Sequence, residues 1–80
     1  MVLTEAIGMR IRELCDQRHI TINKLSTICG MTQSTLNNIF IREKAKPTVS
    51  TIKKICDGLD ITLKEFFDTE YFDSAEQEIK

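Results

Sequence analysis

An 80-residue chain supports one modest core, since a polypeptide of this length buries only about 60–65% of the surface its unfolded form exposes. Apolar residues at 41% and charged residues at 29% fit a globular domain in water, and three Gly with one Pro leave little for linkers or a strand-and-turn fold. No apolar run approaches the roughly 20 residues that span a bilayer, and no basic-then-apolar leader opens the chain, so a cytoplasmic protein is expected.

In chain order, Thr4 is placed to cap a first helix in which Ile7, Ile11, Leu14 and Cys15 recur at helical spacing, fading near His19. Thr21 caps a short second helix with Leu25, Ile28 and Cys29 inward, closed by Gly30 in the left-handed conformation. Met31 fills a turn, and Thr32 caps a third helix that runs to Phe40 with Leu36, Ile39 and Phe40 facing the core. Ile41 to Pro47 reads as a basic loop, because Pro47 disfavours helix at Lys46. Thr48 caps a fourth helix with Val49, Ile52, Ile55, Cys56 and Leu59 inward, its end weakened by Gly58 and Asp60. Thr62 and Glu65 form a capping box for a fifth helix carrying Leu63, Phe66 and Phe67. The expected fold is all-α, a compact five-helix bundle over residues 1–67. Residues 68–80, with Tyr71, Phe72 and Ile79 among acidic neighbours, read equally as a frayed tail, a sixth helix or a dimer contact.

Charge is segregated along the chain. Residues 1–20 balance, residues 21–54 set six Lys and Arg against Glu43 alone, and residues 55–80 set eight acidic groups against Lys64 and Lys80. The net charge of −1 therefore conceals a middle segment of +5 and a C-terminal segment of −6. Contacts with phosphate respond to local sign within a Debye length of about 8–10 Å, so the middle segment is suited to a polyanion.

Cys15, Cys29 and Cys56 are odd in number, widely spaced and flanked by aliphatic residues, which reads as three reduced thiols packed as small hydrophobes. There is no CxxC and no second His beside His19, so no metal, cofactor or small-molecule ligand is expected. No Ser/His/Asp or Cys/His set can be assembled around a lone histidine, which argues against an enzyme.

Two short helices joined by about three residues including Gly match a helix-turn-helix, whose second helix can enter the major groove. The outer face of that second helix, from about Thr32 to Phe40, carries Gln33, Ser34, Thr35, Asn37 and Asn38. Ordinary exposed helix faces favour Glu, Lys and Arg, which propagate a helix better than Asn, Ser or Thr. Amides and hydroxyls are instead the groups that read base edges: Gln and Asn bond bidentately to adenine, and Ser or Thr to several bases.

From Thr21 to Phe67 the chain resembles the phage-repressor/Cro (Xre-like) family of helix-turn-helix transcriptional regulators. The text that carries the resemblance is TINKLSTICGMTQSTLNNIF, a basic loop to Pro47, then TVSTIKKICDGLDITLKEFF. With helix 1 it covers roughly residues 5–67 and implies a lambda-repressor-like domain with the helix-turn-helix in helices 2 and 3. By position, it implies that Gln33, Ser34 and Asn38 face bases, and that Thr21, Thr35, Asn37, Lys44 and Lys46 lie near phosphates. Helix N-termini such as those opened by Thr21 and Thr32 attract phosphate through free N–H groups, which agrees. The implied partner is double-stranded DNA, a palindromic operator bound by a homodimer, with the protein acting as a repressor. The competing reading is a protein-interaction module or antitoxin on the same scaffold, gripping its partner through the acidic C-terminal segment.

The chain departs from the family pattern at three places. Ile22 stands where a backbone-contacting Gln is common, so it is expected to pack on the core or a sugar. Cys15 and Phe40 stand where the family often pairs Arg with Glu, and are expected to touch as an apolar substitute. Arg42 stands where Gly is usual after the reading helix, which would alter the turn that aims Lys44 and Lys46.

Overall fold

The computed structural model describes residues 1–41 and 46–79. The described residues form six helices and no strand: α1 Leu3–Gln17, α2 Ile22–Cys29, α3 Gln33–Ile41, α4 Val49–Leu59, α5 Leu63–Phe67 and α6 Glu70–Asp73. The five expected helices are present, and α6 is a single added turn.

Threonine caps set most of the helix starts. The hydroxyls of Thr21, Thr32, Thr48 and Thr62 accept the N–H three residues on, at 3.0–3.2 Å. Each satisfies one of the four N–H groups a helix start leaves without a partner. Helix α1 is the exception. It opens at Leu3 after Val2, and the expected cap Thr4 lies inside its first turn. Val2 has no side-chain acceptor; the Glu5 carboxylate takes its backbone N–H instead, at 3.4 Å.

Three turns repeat one device. His19, Gly30 and Asp60 adopt left-handed backbone, with φ of 56°, 67° and 57°. In each, the next N–H reaches back to close the helix: Ile20 to Cys15, Met31 to Ser26 and Ile61 to Cys56, at 2.9–3.0 Å. The pattern is a Schellman motif, and its apolar follower then packs inward. Ile20, Met31 and Ile61 all pack against the core and immediately precede the threonine cap of the next helix. One apolar residue thus closes the outgoing helix and sets the entry angle of the incoming one.

The core joins Ile7, Ile11, Leu14 and Cys15 of α1 to Leu25, Leu36, Ile39, Ile52, Ile55, Cys56, Leu59 and Phe66. Two sequence expectations need correction. Val49 is 67% exposed rather than inward, because it shares the outer face of α4 with exposed Lys53 while the buried stripe is Ile52, Ile55, Cys56 and Leu59. On α2, Ile28 is 42% exposed and Ser26 is buried in its place, its hydroxyl donating to the Asn23 carbonyl at 2.7 Å. Ile22 is half-buried and packs on the core, one of the two roles expected of it.

Helix α2 packs closely on α4 at Gly58. A Cβ there would lie 2.6 Å from Cys29 Sγ, too close for carbon and sulfur, and 3.2 Å from Ile28 Cγ2, a tight contact. All three cysteines are free thiols; Cys15 and Cys56 are buried and Cys29 is half-buried. Burial pushes each thiol up, and Asp16 adds to the effect at Cys15.

The acidic C-terminal segment is tied back to α1 by a polar network. Arg10 pairs with Glu13 and donates to the carbonyls of Phe66 and Glu65, each at 2.7 Å, so it closes the C-terminal end of α5. Tyr71 donates its hydroxyl to Glu13 at 2.7 Å, and the Glu76 N–H donates to the Met1 carbonyl at 2.8 Å. Phe72 stacks at an angle against Phe67 and Phe66, with centroids 4.8 and 6.0 Å apart. The side chains singled out as candidate dimer contacts, Tyr71 and Phe72, are thus engaged within one chain.

The network has a pH signature. The Tyr71 hydroxyl, and then Arg10, hold the Glu13 carboxyl below its ordinary value against an opposing effect of burial. A depressed carboxylate stabilises the fold above the ordinary glutamate range and loses that contribution as pH falls through its lowered value. The Tyr71 phenol is pushed up by its bond to Glu13, so the contact also fails at the alkaline end, as pH rises through the raised value. Replacing Tyr71 by Phe should move the Glu13 titration, followed by carboxyl NMR, back toward the ordinary range. An unmoved titration would assign the shift to Arg10 alone.

Candidate nucleic-acid interface

Gly30 turns the chain between α2 and α3, and Leu36 and Ile39 bury one side of α3. The opposite side is left to solvent. Gln33, Ser34, Thr35 and Asn38 are exposed on it and Asn37 is half-buried. The hydroxyl of Thr32 accepts from Thr35 N–H, and it shares hydrogen bonds with the Thr35 and Ser34 hydroxyls at 2.7 and 3.3 Å. The first turn of α3 therefore carries a small hydroxyl cluster beside free helix N–H groups.

Lys46 joins this face from the far side of the chain. With Pro47, Thr48 and Thr51 it borders a shallow cleft of about 230 Å³ whose other wall is Thr35, Asn38 and Ile39. The base-facing candidate Asn38 and the phosphate-facing candidates Thr35 and Lys46 are thereby brought together. Thr48 and Thr51 belong to the same wall, beyond the residues expected from the sequence; the local signal for them is the threonine spacing at the cap of α4. Thr21 stands apart, exposed at the start of α2 beside Arg12, Asp16 and Ile22. Lys44 and Arg42 lie outside the described residues, and so does the altered turn expected of Arg42.

Lys24 and Lys54 are exposed, whereas Lys53 is paired with Asp57 at 2.5 Å. Among the described residues no group of three or more His, Cys, Asp or Glu side chains is arranged to hold a metal ion. No described helix is long and apolar enough to cross a membrane.

Phe40 ends the buried side of α3. Its half-buried ring lies on the α1 backbone at Gly8, where a Cβ would stand 3.4 Å from Phe40 Cδ1, and beneath the Arg12 guanidinium, 4.2 Å from the centroid. The residues that position the ring are therefore Gly8 and Arg12, two turns and one turn before Cys15. Cys15 is buried in the core against which Phe40 packs, and it also borders a surface cleft with Ile20 and Ile22.

A left-handed glycine turn, a buried stripe and an exposed amide-and-hydroxyl face on the second helix define a helix-turn-helix domain. The family model described as the Cro/C1-type HTH DNA-binding domain matches residues 10–71, and the chain belongs to this family. The family comprises DNA-binding transcriptional regulators and is not a class of enzyme.

Similar proteins agree. The chain is 32% identical over 57 residues to the HTH-type transcriptional repressor RghR of Bacillus subtilis (strain 168), covering 71% of this chain but 42% of that protein. It is 31% identical over 68 residues to YopS, described as an SPbeta prophage-derived uncharacterized HTH-type transcriptional regulator of the same organism, covering 85% of this chain and 92% of that protein. Among solved structures, the prophage Lp1 protein 11 superposes with a TM-score of 0.82 at 34% identity, over 94% of this chain and all of that one.

Proposed function

We propose that the protein is a sequence-specific transcriptional repressor that reads double-stranded DNA with α3 in the major groove. The observation that supports this most is the exposed, uncharged face of Gln33, Ser34 and Asn38, set beside Lys46 and the capped start of α4. In this reading Gln33, Ser34 and Asn38 contact base edges. Thr21, Thr35, Asn37, Lys44 and Lys46 hold the flanking phosphates, with Thr21 and Thr32 opening helix ends suited to an anion. One reading helix of nine residues covers few base pairs, so the protein acts in the cytoplasm as a homodimer on a palindromic operator with half-sites about 10 base pairs apart.

Selection from random duplexes, followed by affinity measurement across salt, tests the reading. Gln33→Ala should cost about 1–3 kcal/mol on the selected site and relax preference at one base pair. Lys46→Ala should weaken all sequences alike and reduce the salt slope by about 0.9. If Gln33→Ala leaves the ranking of sites unchanged, α3 is not reading bases through that side chain. Absence of binding to every duplex at low salt would favour the interaction module, its partner held by the acidic C-terminal segment.

A further inference from the structure

We propose that Arg12 is a positioning residue for DNA reading: stacked on Phe40, it sets the tilt of α3 and does not itself touch the nucleic acid. The inference rests on the reading of α3 as the recognition helix.

Gly8 and Arg12 are four residues apart and so share one face of α1. Phe40 occupies that face, its ring edge on the Gly8 backbone and its π-face under the guanidinium. Arg10, the neighbouring arginine, is committed to Glu13 and the end of α5. The guanidinium suits a ring face better than an ammonium, being planar and more weakly hydrated.

The lever arm is short but sufficient. Phe40 and Gln33 are seven residues apart, about 10 Å along the helix axis. A tilt of about 5° at the Phe40 end moves Gln33 by about 1 Å, enough to spoil a bidentate bond whose donor–acceptor range is about half an ångström. Leu36 and Ile39 hold α3 against the core, and Phe40 with Arg12 adds a second hold on its last turn from α1.

The test measures affinity of the full chain for its selected duplex across salt, together with backbone amide shifts of Gln33 to Asn38 in the free protein. Arg12→Met should weaken binding about 2–5-fold with an unchanged salt slope, and loss of the exposed cation–π contact should lower the thermal midpoint by no more than about 8 °C. Arg12→Lys should recover most of the loss, and Arg12→Met should add nothing in a Phe40→Leu background. A slope reduced by about 0.9 would overturn the proposal, because Arg12 would then be neutralising a phosphate itself. Unchanged affinity, or full additivity with Phe40→Leu, would overturn it as well. If the wild-type chain binds no duplex, the recognition reading fails. The positioning claim is then decided by the amide shifts, which must move on Arg12→Met for it to stand.

Discussion

Replacing Phe66 by alanine should lower the unfolding free energy by about 3–5 kcal/mol, the largest loss expected from any single truncation in the chain. Phe66 is the fully buried residue of the short α5, which Leu63 also helps to pack against the core. Its ring meets Phe67 edge to face at 5.0 Å and lies 6.0 Å from Phe72, while its carbonyl accepts from Arg10. Removing the ring leaves a cavity and loosens the aromatic cluster that seats α6. A chain of 80 residues has about 4–12 kcal/mol of stability in all, so the variant should sit near the unfolding threshold at 37 °C. Urea denaturation measures this directly. A loss under about 1 kcal/mol would mean that Phe72 and Phe67 collapse into the space, and that α5 needs no anchor of its own.

Gly58→Val should cost about 3 kcal/mol, and Gly58→Ala less, about 1–2 kcal/mol. The added Cβ would stand 2.6 Å from Cys29 Sγ and 3.2 Å from Ile28 Cγ2. Helix propensity works the other way, since Gly to Ala in a helix interior gains about 1 kcal/mol. The clash wins because 2.6 Å is shorter than a Cβ contact can be, and Ile28 Cγ2 crowds the same added carbon. The assignment can be isolated by a double-mutant cycle. In a Cys29→Ala background the sulfur is gone, and Gly58→Ala should become close to neutral. Thermal melts suffice, since 1 kcal/mol moves the midpoint of a domain this size by about 4–8 °C. Equal cost in both backgrounds would place the strain on the Cys29 backbone and Ile28 instead.

Gly58 also shows where sequence reading stops. Read along the chain, it weakens the end of a helix. Only the approach of α2, 29 residues earlier at Cys29, gives it a packing reason. The same holds for His19. Read alone, it is a chance surface histidine, yet its φ of 56° makes it the closing residue of α1, as Gly30 is of α2. Three turns of identical construction therefore carry three different residues, and only the glycine advertised its conformation. Asp60, expected to weaken the end of α4, instead closes it in the same left-handed way, with its N–H and that of Ile61 bonded back into the helix.

The site divides along the same line. Gln33, Ser34, Thr35 and Asn38 were legible because their character and spacing are local, and α3 exposes them as expected. The placement of Lys46 beside Asn38 joins separate elements, and the Arg10–Glu13–Tyr71 network spans 61 positions. Arg10 and Glu13 are neighbours at helical spacing, but nothing local connects them to a tyrosine 58 residues downstream. The acidic segment left open between tail, helix and dimer contact is docked on α1 by that contact.

By itself the sequence determined the helices α2 to α5, four of their threonine caps, the left-handed glycine turn and the unusual face of α3. Each of these is dictated within about one helical turn, by side-chain hydrogen bonds to nearby backbone and by apolar periodicity. The tertiary structure alone decided that Val49 faces water and that Gly58 admits a sulfur. It likewise decided that Tyr71 belongs to the fold and that Phe40 lies between Gly8 and Arg12. These depend on how helices far apart in sequence are set against one another, and close packing resolves them by shape and distance that no local pattern encodes.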